Sequence, residues 1–454
     1  MASSVAVDDY ALTRVPAGAR YSWWSVAVQR FGQVSALSQF LLGATLGYGM
    51  GFWSAFLALT LGAVILEVVC VFVGVIGVRE GLSTSMLGRW TGFGRAGSAL
   101  IGLAIGISLI GWFGIQSAVS AQGLAALVGV LPAWGWSLLF GIVVTAVVLR
   151  GFHSMAWTAY VTVPAFLVLV GWSIISELSR HDVGTLVRQP APGPHLGLLA
   201  GTTVVAGGFI VGAIITPDMT RFNRNTGDVV KQTLLGITLG EYVIGLAGVL
   251  LAHAVRSADV TTIVTSSVGW VGILVVVAGT IKINDWNLYS SGLGLVNFVG
   301  TVFGRRLNRG VATAVIGVIG SVLAAAGILD KFTEFLTVLG VAFPPIAGIM
   351  VAEYFLVRQW RGILDESRER GTIPSEAPTW VPATLVIWLV AALVGKFVEW
   401  GLPSINSLVV ALVFYVVAGK AGLVRGVGVS RTRDLLAPPA PARAAQPAGE
   451  PTAP

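Results

Sequence analysis

Apolar residues run along this chain in long blocks, separated by short segments that hold most of its charge. Twelve blocks can be marked, at roughly 24–50, 52–78, 97–121, 134–149, 154–176, 197–216, 232–253, 266–300, 311–329, 333–356, 380–398 and 404–424. Most reach the ~20 residues that a helix needs to cross bilayer hydrocarbon. In lipid every backbone N–H and C=O has to be satisfied inside the segment, so each block is predicted to be a helix. The pattern predicts an all-α polytopic membrane protein with 12 transmembrane helices.

Two blocks are interrupted. The first contains Arg30-Phe-Gly32-Gln33-Val34-Ser35-Ala36-Leu37-Ser38-Gln39, and the sixth contains Ala206-Gly207-Gly208-Phe209 and then Ile215-Thr216-Pro217-Asp218. A polar segment, 177–196, divides the first ten blocks into two groups of five. Five spans per half reverse the orientation of the second half, as an inverted-repeat transporter requires. Interruptions at corresponding positions then point to a binding site near the midplane. Glycines that only permit close helix packing are the plainer explanation. An adjacent aromatic tips Gly207-Gly208 towards a site.

The organisation that follows is a polar tail (1–20), a first five-span repeat (21–176), an outer loop (177–196), a second five-span repeat (197–356), a loop with two C-terminal spans (357–426), and a tail (427–454). The last is rich in Pro and Ala, cannot bury a core, and is expected to be disordered. The N-terminal segment lacks a charged leader with a cleavage site, so the first block is expected to be retained.

Composition agrees. The chain has 454 residues, 55% hydrophobic and 11% charged, with mean hydropathy +0.84; soluble domains carry roughly 25% charged residues. The net charge of +7 reports topology. With the N-terminus inside, twenty Lys and Arg fall in inner segments and five in outer loops (Arg180, Arg188, Arg256, Lys331, Lys396). That bias places both termini in the cytoplasm of a cell-membrane protein and leaves no case for nucleic-acid binding. A single cysteine, Cys70, and four histidines without ligand spacing argue against a metal centre. Neither a nucleophile–base arrangement nor a G-x-x-x-x-G-K-[S/T] loop is present, which argues against an embedded enzyme and against ATP-driven transport. A sensory receptor would not require paired helix breaks.

One cation is placed at mid-membrane. Lys282 lies near the middle of the eighth block, where a lysine costs roughly 2.5–3.5 kcal/mol even on the mild insertion scale. Snorkelling serves only near a span end. Asp285, one turn on, is the obvious partner. Two further acids inside blocks, Glu67 and Glu241, are equally compatible with a proton relay and with packed, hydrogen-bonded carboxyls. Asp218 is expected to pair with Arg221, and Glu353 with Arg358.

In the third block Trp112 and Gln116 are four residues apart and share one helix face. An indole plane with an amide one turn above suits a flat, hydrogen-bonding heterocycle. Phe209 could supply a second face, and Asn284 and Asn287 further amides.

With these pieces the chain resembles the nucleobase–cation symporter family, in its cytosine/purine permease branch, over roughly residues 15–425. The resemblance rests on Val15-Pro16…Arg20, Gly81-Leu-Ser-Thr-Ser-Met-Leu-Gly-Arg89, Gly111-Trp112-Phe113-Gly114, Asp218-Met-Thr-Arg-Phe-Asn-Arg-Asn225, Asn284-Asp285…Leu288-Tyr-Ser-Ser-Gly-Leu-Gly294 and Pro344-Pro345. It implies a leucine-transporter-like 5+5 inverted repeat plus two C-terminal spans, alternating access, and a planar nucleobase or related ring as substrate. It also implies residue roles. Trp112 and Phe209 sandwich the ring, Gln116 and Asn284 face it, and Gly208 offers backbone to it. Carbonyls of Gly32, Ser35 and Gly279 form the cation site.

Two departures from the family pattern refine this. Sodium-using relatives carry two adjacent hydroxyl residues where this chain has Lys282-Ile283. An ammonium has three donors and no acceptor, so it cannot ligate Na⁺. The expectation is that Lys282, next to Asp285, stands in the cation site and that coupling is to H⁺ rather than Na⁺, or is absent, with no other cofactor. Leu109 replaces a glutamine of cytosine permeases, which argues against cytosine itself and leaves purine, hydantoin, allantoin and vitamin-like rings.

Overall fold

The computed structural model describes Tyr10, residues 12–149 and residues 152–431, without the side chains of residues 152–163 and Leu178. The segment 432–454, expected to be disordered, lies outside the described residues, as do residues 1–9.

The fold is mostly helical. Among the described residues, six helices are long and apolar enough to cross a membrane: Phe52–Glu80, Gly94–Val128, Thr226–Val255, Trp270–Phe303, Ile328–Val357 and Pro403–Lys420. Shorter apolar helices accompany them, including Ala133–Leu149, Leu198–Ile214, Arg309–Ala325 and Pro382–Phe397. Their outward faces keep large apolar side chains uncovered. On Phe52–Glu80, Trp53, Leu57, Val64, Val68 and Phe72 are all exposed at helical spacing, the stripe expected of a helix facing lipid. Helix ends follow ordinary chemistry. Gly81 (φ +62°) and Gly129 (φ +67°) stop Phe52–Glu80 and Gly94–Val128 in the left-handed conformation.

The first block is broken, as its sequence suggests. Trp23–Val34 ends at Ser35, Ala36 is extended (φ −126°, ψ 168°), and a new helix runs over Leu37–Gly49. The Ala36 N–H bonds the Val34 carbonyl at 2.8 Å. In an unbroken helix it would bond Gly32, so the Gly32 carbonyl leaves the helical ladder. The sixth block also yields at its inner end: Leu198–Ile214 stops, and a short helix, Pro217–Thr220, follows.

Small residues set the packing around these breaks. A Cβ on Gly207 would collide with the Leu336 carbonyl, and one on Gly43 with the Gly245 carbonyl. Gly207 therefore serves helix packing, while Gly208 faces the Leu42 side chain. Trp270–Phe303 lies along Gly94–Val128, joined by Ser291 Oγ donating to the Gly106 carbonyl at 3.0 Å.

Three differences from the sequence reading stand out. The all-α expectation is corrected by one two-stranded antiparallel sheet, Glu376–Trp380 with Val427–Arg431, in register Ala377↔Ser430 and Trp380↔Val427. Residues 427–431, assigned to the tail, are thus ordered by a partner about fifty positions away, which no local pattern announces. Glu353 does not turn to Arg358. It accepts from the Trp360 N–H and the Tyr415 hydroxyl, each at 3.0 Å, while Arg358 Nε donates to the Phe355 carbonyl. The Asp218 carboxylate caps the Thr84 N–H at 2.7 Å, and Arg221 Nε donates to its main-chain carbonyl.

Glu80 anchors one end of the bundle. Its fully buried carboxylate accepts from Arg14 at 2.9 Å, Arg368 at 2.7 Å and the Tyr354 hydroxyl at 2.5 Å. Three separate parts of the chain are tied to one acid.

Candidate substrate and cation site

The break in the first helix opens on a cavity of about 330 Å³ against Trp270–Phe303. Gly32 and Ser35 line it from the break, Gly279, Lys282 and Trp286 from the long helix, and Phe166 adds to the lining. Four of the five residues expected at the cation site, Gly32, Ser35, Gly279 and Lys282, therefore share one cavity, and Asp285 does not line it. A Cβ on Gly32 or on Gly279 would meet nothing within 4 Å, so both positions face open space. The Ser35 hydroxyl is buried without a hydrogen-bond partner.

Lys282 sits in the wall of this cavity. Its Nζ is 3.3 Å from both carboxylate oxygens of Asp285. The lysine side chain is 22% exposed and that of Asp285 1%, so the carboxylate stands behind the ammonium and the ammonium faces the cavity. The helix makes this inevitable: positions i and i+3 lie on one face. An amine with donors and no acceptor thus lines this cavity beside a carboxylate.

The expected ring-binding residues distribute unevenly. Trp112 is buried on Gly94–Val128, and the rings against it are Phe332 and Phe335, edge-on at centroid distances of 6.0 and 5.5 Å. Gln116, one turn on, is buried at 3% exposure, and its Oε1 has no partner. An amide oxygen in that state is suited to accept from a ligand N–H. Phe209 is half-buried on Leu198–Ile214, with the Arg30 guanidinium 5.7 Å from its ring centroid. Trp112 and Phe209 do not stack on each other.

Asn284 is committed elsewhere. Its Nδ2 donates to the Phe113 carbonyl at 3.1 Å and to Ser117 Oγ at 2.9 Å, and its Oδ1 accepts from Asn287 at 3.1 Å. These bonds join Trp270–Phe303 to Gly94–Val128 directly behind Trp112 and Gln116. The asparagine therefore acts in this structure on the helix that carries Trp112 and Gln116.

Arg30 was not foreseen as part of the site. It is fully buried, donates to the Gly212 carbonyl at 3.3 Å, Thr216 Oγ1 at 3.0 Å and Gln33 Oε1 at 3.3 Å, and covers Phe209. It ties the broken first block to the broken sixth. Its signal in the sequence was an arginine inside an apolar block, apart from the loop charges.

Comparison with known proteins places this geometry. The family model described as "Permease for cytosine/purines, uracil, thiamine, allantoin" matches residues 15–415. The chain is 29% identical over 355 residues to the cytosine permease of Escherichia coli K12, covering 76% of this chain and 80% of that protein. It is 24% identical over 452 residues to the hydantoin permease of Microbacterium maritypicum, covering 92% and 89%. Among solved structures, the inward-facing conformation of Mhp1 superposes with a TM-score of 0.76 at 20% identity, covering 94% of this chain and 97% of that one. A closed conformation of Mhp1, a nucleobase-cation-symport-1 family transporter with bromovinylhydantoin bound, gives 0.69 at 19% identity, covering 91% and 95%. The fold is thus that of Mhp1, and the family's members are permeases, not enzymes. The chain is a multi-pass membrane transporter that belongs to the family of permeases for cytosine/purines, uracil, thiamine and allantoin.

Proposed function

We propose that this protein imports a planar nucleobase or related heterocycle across the cell membrane by alternating access, without sodium, with Lys282 standing in the cation site and H⁺ as the coupling ion. The observation that carries the proposal is that Lys282 and the broken first helix line one cavity. Trp112, Phe209, Gly208 and the unpartnered Gln116 amide hold the ring, and Asn284 fixes the helix behind them. Gly32, Ser35 and Gly279 surround the ammonium, with Asp285 as its counter-charge. The helices form a 5+5 inverted repeat plus two C-terminal spans, twelve in all, divided at 21–176, 197–356 and 357–426, with both termini cytoplasmic. The fold likeness to Mhp1 supports the repeat, and the distribution of Lys and Arg supports the orientation.

A hydantoin-, allantoin- or vitamin-like ring is the second reading of the substrate. Leu109 favours it over cytosine, because a polar partner for the ring edge is missing there. Uptake of labelled hypoxanthine, cytosine, uracil, allantoin and benzylhydantoin into proteoliposomes, with imposed Na⁺ or H⁺ gradients, tests substrate and coupling in one experiment.

A further inference from the structure

Two acids stand at the start of π-helical turns within apolar helices: Glu241 in Glu241–Gly245 and Glu353 in Ala352–Val357. Such turns interrupt the regular ladder and are frequent at functional sites. The two acids differ in how their oxygens are used. Both oxygens of Glu353 accept hydrogen bonds, from Trp360 and Tyr415, which is sufficient for a structural role. Glu241 is fully buried. Its Oε2 accepts from Gln39 Nε2 at 2.5 Å, but its Oε1 has no partner.

Among the described residues, the surroundings of Glu241 supply no compensating cation. Leu37–Gly49, packed against the turn, brings Gln39, with Tyr48 at its far end. Phe52–Glu80 brings a second acid, Glu67, whose Oε1 accepts from Thr238 Oγ1 at 2.5 Å, and Cys70, bonded by Thr216. Tyr242, next in the turn, is held by Thr60 at 2.9 Å. On the flanks of the same helix, Asp228 and Lys231 precede Glu241 by ten residues or more and His253 follows by twelve, about 15 Å or more along the axis at ~1.5 Å per residue. Arg30 reaches that helix at Gly236, more than a turn away, with its donors on Gly212, Thr216 and Gln33. In this conformation a carboxylate anion would be buried and unpaired and so is disfavoured, whereas the neutral acid needs only one further acceptor.

We infer that Glu241 is a proton-binding site of the transport cycle. The inference rests on the proton-coupled reading above and gives the proton a place separate from Lys282, which then serves as a fixed charge. Loading transfers a proton from hydronium to Glu241 Oε1 and leaves water. Release returns the proton to water and leaves the electron pair on the carboxylate. Gln39 links this step to the gate. It sits on the helix that starts immediately after the break at Ser35 and Ala36, so movement of that helix lengthens or shortens the Gln39–Glu241 bond and changes what the proton costs to hold.

Infrared difference spectra of the full-length detergent-solubilised protein between acid and alkaline pH test the site without any substrate. The wild type and Glu67→Gln should show the C=O stretch of a protonated carboxyl that Glu241→Gln loses, and Gln39→Met should shift that band. An unaltered band in Glu241→Gln overturns the inference; if that variant does not fold, an unshifted band in Gln39→Met does so. In proteoliposomes, Glu241→Gln should lose pH-driven accumulation of labelled hypoxanthine while retaining exchange. Wild-type accumulation in the variant would overturn the inference. A wild type that moves none of the rings would instead remove the proposed function, leaving the infrared result to decide Glu241.

Discussion

The Lys282 ammonium lies 3.3 Å from both oxygens of Asp285, one turn along the same helix, with the carboxylate buried behind it and the broken first helix across the cavity. Removing the lysine strands a buried acid, and breaking such a pair from one side typically costs about 3–5 kcal/mol, reduced here because the lysine is partly exposed. Lys282→Ala is therefore expected to slow uptake and change its pH profile, while Lys282→Ala/Asp285→Asn, which removes both charges, recovers stability. A profile for Lys282→Ala that superimposes on the wild type would separate the lysine from coupling.

The proposed ring recognition centres on Trp112. Stacking of a base on an aromatic side chain is worth about 1–3 kcal/mol, so Trp112→Ala should weaken binding of the transported ring by about fivefold to more than a hundredfold. Trp112→Phe keeps a ring against Phe332 and Phe335 and should retain most of the affinity. Equilibrium binding to both variants checks this, and undiminished affinity in Trp112→Ala would remove the stacking model.

Much of this was legible in the sequence, and the limits are physical. Apolar blocks locate the helices because lipid leaves the backbone no alternative. The polar, glycine-bearing run from Gly32 to Ser38 announces the break, and the i, i+3 spacing alone pairs Lys282 with Asp285. What escaped depends on distant partners. Val427–Arg431 is a strand only because Glu376–Trp380 lies beside it. Glu353 prefers Trp360 and Tyr415 to the nearby Arg358. The engagement of Asn284 with Phe113 and Ser117, like the burial of Arg30 against Phe209, arises where helices cross.

Glu80 provides a test of the fold independent of transport. Its side chain is fully buried and meets Arg14 and Arg368, whose own side chains are 8% and 35% exposed. Glu80→Gln should destabilise the protein by about 3 kcal/mol, the lower end for a broken buried ion pair, because Arg368 is part-hydrated. Thermal unfolding in detergent measures it. Arg14→Ala should cost less, since Arg368 and Tyr354 remain.

A built-in cation is tested by concentrative uptake of the labelled ring by wild-type proteoliposomes under an inward Na⁺ gradient, an inward H⁺ gradient, or neither. Accumulation is expected with the H⁺ gradient, with collapse on adding a protonophore and no response to Na⁺. Accumulation that requires the Na⁺ gradient would contradict it.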